Sequence, residues 1–242
     1  MHQKMTIRIK NWKLTFLALL FFALFTSLGL WQLSRAKQKE LLLATYAEQT
    51  KRAPLTAHDL NKANDWRFYR ASLRGTFDNK QTFLLDNKTF YGQIGYEVYT
   101  LFYAQGLAQP ILIDRGFIPM DSDRTKLPSI KEINGIITLT GMLNLPPTYV
   151  AFGKINDSTT LTWPLRIEFI DLKAIAKLAS NPEGKIEEIY PYILMITAHH
   201  PAAYPIEWKM LVMSPERHRG YALQWFALAL TLLILWVALN RR

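Results

Sequence analysis

No cysteine occurs among the 242 residues, so disulfide staples and thiolate metal sites are excluded. That absence neither requires nor rules out an oxidising compartment. HExxH, GxSxG, phosphate-binding P-loop and dinucleotide-binding glycine patterns are missing too, and with them the usual signatures of several enzyme classes. The chain has no internal repeats and no long flexible linker. Acidic residues are absent from both ends, since all 19 lie between Ser34 and Arg217. Charge of either sign is absent from two runs, Leu14–Leu33 "LTFLALLFFALFTSLGLWQL" and Gly220–Leu239 "GYALQWFALALTLLILWVAL".

Each uncharged run would form a helix of roughly 30 Å, the thickness of a bilayer's hydrocarbon core. Both are therefore expected to be transmembrane helices, at 14–33 and 218–239. Soluble core helices alternate apolar with charged faces, and these do not. A cleaved signal peptide is the alternative for the first run, which follows Lys4, Arg8, Lys10 and Lys13. Its apolar core is too long for that, however, and "WQLSRAKQKE" offers no small-x-small cleavage site.

The net charge of +10 invites a nucleic-acid reading that its distribution refutes. The stretch 34–217 holds 22 of the 29 basic residues beside every acidic one, leaving it only three positive. The other seven positives flank the apolar runs, where they suit lipid headgroups. Membrane lipid is thus an expected partner and nucleic acid is not. A basic tail at 1–13 and Arg241 and Arg242 in the closing segment 240–242 favour both termini on the cytoplasmic side. A loop as long as 34–217 crosses largely regardless of its own charge. The central region is then periplasmic, and the short lead before the first span favours a bacterial inner membrane over a mitochondrial one.

Between the spans the pattern changes. "SRAKQKELLLATYAEQTKRAP" predicts a short helix leaving the membrane and ending at Pro54. "DWRFYRASLRGTF", "KQTFLLDNK", "IGYEVYTLFY", "QPILIDRGFIP" and "INGIITLTGML" predict short strands separated by Gly, Asn, Asp and Pro, with Asn134-Gly135 as a turn signal. Asp171 can cap a helix through Leu172, Ile175, Ala176 and Leu178, which Asn181-Pro182 would stop. "EIYPYILMITAHH" predicts the last strand. The fold class expected is a membrane protein in which two transmembrane helices flank one α+β domain. Antiparallel strands dominate that domain, as a meander or partly closed barrel.

Candidate chemistry is sparse. His199-His200 has no third ligand at an informative spacing and reads as a surface pair at a strand end. Asp114-Arg115-Gly116 reads as a tight turn with a local ion pair. Glu97, Asp86 and Glu168 are carboxylates whose pairing the sequence leaves open. The entrance to the second span, "HRGYALQWF", is more specific. Taking His218 as the origin on a helix, Tyr221 falls at about −60°, Ala222 at about +40°, Trp225 at about −20° and Ala229 at about +20°. Imidazole, phenol and indole then share one face that two alanines leave open. A neutral imidazole can coordinate iron, a flat porphyrin suits such a floor, and Arg217, Arg219, Arg35 or Lys37 can meet its propionates. Aromatic and basic residues also collect at any membrane interface, which is the competing reading.

Across nearly its whole length the chain resembles the Surfeit-locus family of cytochrome c oxidase assembly factors, Shy-type in fungi. The resemblance rests on Gly29, Trp31, Gln32 and Arg35 at the end of the first run, "GTF" at Gly75–Phe77, "GYEVYT" at Gly95–Thr100 and "ILIDRGFIP" at Ile111–Pro119. The most specific match is "PERHRGYALQWFALA", through Pro215, Glu216, His218, Tyr221, Ala222, Gln224, Trp225 and Phe226. It implies a non-enzymatic factor that binds haem a transiently and assists its insertion into oxidase subunit I. Haem a synthase and copper-delivery assembly factors are further candidate partners. His218 would be the axial ligand of the haem iron, Tyr221 and Trp225 would shape the pocket, and Arg35, Trp31 and Gln32 would be carried over at the facing interface. A cofactor-free scaffold for a subunit I intermediate, working through a surface around Arg115 or Trp163, is the alternative. "YTLF" for a usual Thr-Pro and "RGF" for a usual Arg-Gly-Trp are departures expected to alter only local loop shape.

Overall fold

Asn11 begins the first helix by accepting hydrogen bonds at Oδ1 from the amides of Lys13 (3.0 Å) and Leu14 (3.3 Å), the usual work of an N-cap asparagine. This is seen in a computed structural model that describes residues 9–147, 155, 162–180, 185–208 and 213–241. In chain order the elements are α1 (Trp12–Gln49), α2 (Ala57–Leu60), β1 (Arg70–Phe90), β2 (Gln93–Ala104), β3 (Ile111–Pro119), β4 (Ile137–Asn144), β5 (Leu165–Ile167), α3 (Leu172–Ala179), β6 (Ile193–Ile196) and α4 (Pro215–Asn240). The chain divides into a helical unit, Met1–Thr45 with Lys209–Arg242, and a sheet unit, Tyr46–Trp208.

The first apolar run and the predicted exit helix form one continuous rod. Nothing between Trp12 and Gln49 breaks it, because the segment has no proline and Gly29 is its only glycine. Both α1 and α4 are long and apolar enough to cross a membrane. Only 11% of each apolar window is buried within the protein, so most of that surface faces outward, unlike a soluble core helix. Ser214 precedes α4 as its N-cap residue, and Pro215 occupies the first turn, where its missing amide hydrogen costs nothing.

In the sheet unit the first two expected strands are one, the 21-residue β1, with register shifts between Phe77 and Thr82 and between Leu85 and Lys88. Those shifts bend it, so its first half pairs with β4 and its second with β5 while β2 follows both. The pairings run β1–β2–β3–β6–β4 and return to β1, a ring-like mixed sheet. It is not a simple meander: the last strand, β6, lies between β3 and β4, parallel to β3, and β5 runs parallel to β1. β5 and α2 carry no clear sequence signal because they are three and four residues long.

The continuous apolar stretch "ILI" in β3 follows from burial on both faces. Ile111 and Ile113 join one core with Leu73, Phe102, Leu139 and Leu194. Leu112 joins a second with Phe83, Leu101, Ile167 and Ile175, the last from α3. Each such fully buried aliphatic side chain contributes roughly 1.5–3 kcal/mol. Asp171 caps α3 as expected, accepting from the amides of Lys173 (2.9 Å) and Ala174 (3.2 Å). Asn181 and Pro182 lie outside the described residues. The two departures from the family pattern, Leu101 and Phe117, fall within β2 and β3 rather than in loops.

Candidate functional site

Within the helical unit α1 and α4 run antiparallel. Phe25 stacks on Trp225 with ring centroids 5.7 Å apart, and the edge of Phe226 lies over Gly29. A Cβ at position 29 would fall 2.5 Å from the Phe226 ring, so a larger residue must displace that ring or part the helices. Small residues at such crossings let backbones come close, the main source of helix association where lipid cancels the hydrophobic gain. Ala36, Ala222 and Ala229 are buried in the same unit.

Polar side chains bolt this pair at intervals, each with a partner, as an apolar solvent demands. The indole of Trp236 donates to Thr15 Oγ1 at 3.1 Å. Asn240 accepts from the Lys10 amide at 2.9 Å and donates to the Trp236 carbonyl at 2.9 Å. Glu40 and Arg219 form an ion pair. At the entrance to α4, His218 Nδ1 lies 2.7 Å from Gln32 Oε1, with His218 only 8% exposed.

The His218–Gln32 contact fixes the chemistry of the imidazole. An amide oxygen only accepts, so Nδ1 is the donor of this pair, and in the neutral form of the ring the lone pair lies on Nε2. Nε2 makes no hydrogen bond among the described residues. Metal-ligating histidines recur in this arrangement, with one nitrogen anchored to an acceptor and the other left to bind. Nε2 of His218 is thus the atom of this pair that could hold a metal.

Other predicted site residues are distributed differently. Tyr221 and Trp31 point outward, 44% and 54% exposed. Trp225 is half-buried against Phe25 rather than walling an open pocket. Ala222 and Ala229 are buried in the helix pair instead of forming an open floor. Arg35 is exposed and donates to Gln38 on its own helix at 2.9 Å. The structure thus joins His218 to Gln32 and leaves Arg35, Trp31 and Tyr221 on the surface.

A second cluster, which the sequence offered only as a tight turn and unassigned carboxylates, occupies the sheet unit. Asp114-Arg115-Gly116 is no turn and holds no internal ion pair. It is a bulge inside β3, where Val98 pairs with Gly116 and Tyr99 with Asp114, leaving Arg115 as the extra residue. Gly116 has φ of 103°, and a Cβ there would strike Ile206. Arg115, 1% exposed, donates to the carbonyls of Ala202 (3.0 Å) and Lys131 (2.8 Å) and to Thr100 Oγ1 (3.4 Å). Its guanidinium lies over the rings of Phe77 and Tyr204. It is therefore a buried fastener of loops to sheet, not part of a docking surface. Trp163 packs edge-on to Phe83.

Asp114 is buried beside Tyr99 and Glu97, and its Oδ1 accepts from the Gly116 amide at 3.0 Å. Burial first, and the Glu97 carboxylate second, push its pKa well above the ordinary carboxyl range. Burial likewise raises Tyr99 and pulls Arg115 down from its usual value. Glu97 meets Lys88 at 3.3 Å, at the edge of a cavity of about 150 Å³ also lined by Phe90, Phe117 and Trp208. His200 is structural: its Nε2 contacts the Thr138 carbonyl at 3.1 Å, and its Nδ1 accepts from the Ala202 amide at 3.1 Å. No cluster of metal-ligating side chains exists among the described residues.

Comparison with known proteins bears on the whole of this architecture. A SURF1-like protein of Rickettsia felis is 28% identical over 245 aligned residues, covering 95% of this chain and 97% of that protein. A SURF1-like protein of Monosiga brevicollis is 25% identical, covering 89% of this chain and 83% of its own length. Surfeit locus protein 1 of Homo sapiens is 25% identical, with 86% and 71% covered. The family model described as SURF1 family matches residues 19–230. That span takes in the Gly29–Phe226 crossing, the Gln32–His218 pair and the Arg115 bulge together, and the chain belongs to the SURF1 family.

Proposed function

We propose that this protein is a non-enzymatic biogenesis factor of cytochrome c oxidase, binding haem a and assisting its insertion into subunit I. Haem a is cargo, and its iron offers an axial position to an imidazole nitrogen. The observation that carries the reading is the 2.7 Å contact of His218 Nδ1 with Gln32 Oε1, which holds the ring and leaves Nε2 without a hydrogen bond among the described residues. A single protein ligand suits reversible holding better than a closed two-ligand site. Trp225 and Tyr221 are the aromatic groups nearest along α4, and Arg35 and Arg217 are exposed cations available to propionates. The spans would place both termini in the cytoplasm and the sheet unit in the periplasm of a bacterial inner membrane.

Co-expression with a haem a synthase tests this. The purified wild type is expected to carry a haem absorbance spectrum, and His218→Ala to lose it. Gln32→Leu removes the anchor without the ligand and is expected to lower haem retention about tenfold or more. Full retention with an unchanged spectrum in His218→Ala would exclude the ligand assignment.

A second reading, a cofactor-free scaffold for a subunit I intermediate, is favoured by one observation: Ala222, Ala229, Phe25 and Trp225 spend the expected open face on helix packing. It requires His218→Ala to assemble oxidase normally and the wild type to purify without haem.

A further inference from the structure

Two grooves between α1 and α4 lie away from the histidine end. The larger, about 360 Å³, lies at the opposite end of the helical unit. Its walls include Leu14, Leu17 and Phe21 from α1 and Leu232, Leu235 and Leu239 from α4, with Ala18 opening the seam opposite Trp236. Leu14 to Phe21 spans roughly 10 Å of helix. One end is closed by polar groups, Asn11, Asn240 and Lys10. Asn240 is buried and hydrogen-bonded to the Lys10 amide and the Trp236 carbonyl, which ties the end of α4 to the start of α1. Lys13 and Arg241, both exposed, follow closely in sequence on Lys10 and Asn240. None of Lys10, Lys13 and Arg241 makes an ion pair among the described residues, and the chain has no acidic residue before Ser34 or after Arg217.

We propose that this groove is a binding site for one anionic phospholipid. An acyl chain lies along the leucine walls, and the phosphate sits at Lys10 with Lys13 and Arg241 beside it. Charge complementarity selects this occupant. Lys10 lines the mouth, Lys13 and Arg241 are its near neighbours along the chain, and none of the three has an ion pair among the described residues; an acidic headgroup gains about fivefold in binding for each nearby lysine or arginine. The walls select it as well. Helix–helix seams in membranes are lined by small residues, whereas this groove is lined by long, flexible leucines and a phenylalanine, which conform to a chain.

Full-length protein in nanodiscs of equal phosphatidylglycerol and phosphatidylcholine, with matched acyl chains, is released and weighed by native mass spectrometry. One retained phosphatidylglycerol is expected, favoured at least tenfold over phosphatidylcholine. The double variant Lys10→Gln/Lys13→Gln should bring that preference close to parity, while Lys10→Arg/Lys13→Arg keeps it and controls for folding. Ala18→Phe, which fills the seam, should lower retention of the anionic lipid severalfold. Equal retention of both lipids by the wild type overturns the proposal, as does an unchanged preference in the glutamine variant. Photocrosslinking from position Leu235 that captures a protein helix rather than lipid would also overturn it.

Discussion

His218 carries two nitrogens with different fates. Nδ1 is spent on Gln32, and Nε2 is what remains for a ligand. The histidine was legible from its motif, but its partner was legible only as a residue carried over from the family, because 186 positions separate the two. Asp114 was not legible as a titrating group at all. Its neighbours Glu97 and Tyr99 reach it through the β2–β3 register, which a sequence does not print. In the unfolded chain Asp114 ionises in the ordinary range, whereas in the fold burial and Glu97 hold its proton to higher pH. The folded state therefore binds more protons. This contribution to stability is full below the ordinary carboxyl range and is lost as pH rises towards the raised folded pKa. Asp114→Asn keeps an oxygen for the Gly116 amide and removes the titration. Its urea midpoint is expected to fall less than that of the wild type between about pH 5 and pH 8; an identical pH slope in both proteins would refute the assignment.

At the scale of elements, periodicity and length predicted α1, α3, α4 and most strands, because those signals are local. What periodicity missed were joins and insertions. The expected exit helix is the continuation of α1, and two expected strands are the single β1. The helix expected at the second apolar run forms as α4, and the two alanines expected to leave its imidazole face open are buried within the helical unit. Packing decides the use of a face, and packing needs the partner's surface. Gly29 illustrates the point, since its cause is Phe226 on another helix. Gly29→Leu must displace that ring or part the helices, at a cost of about 1–3 kcal/mol. The expected readout is a lowered midpoint of unfolding of the helical unit in mixed detergent micelles, with Phe226→Ala on the Gly29→Leu background recovering part of the loss. No recovery would mean that the two residues do not oppose each other.

For the whole molecule, the proposed topology predicts that alkaline phosphatase fused within the exposed stretch 121–126 is active, while green fluorescent protein fused after Arg242 fluoresces inside the cell. The reverse pattern would invert the orientation. Two apolar helices, a β-rich middle and the confinement of acid to that middle were determined by the sequence alone. Each depends only on the composition and order of neighbouring residues, which is what hydrophobic transfer and backbone propensity read. The tertiary structure alone decided that β6 inserts between β3 and β4 and that Arg115 is buried among carbonyls rather than exposed. It also decided that Gln32 faces His218 and that a basic-mouthed groove opens at the far end of the helix pair. These features arise where segments distant in the chain compete for the same space and the same hydrogen-bonding groups, and only the assembled packing settles that competition.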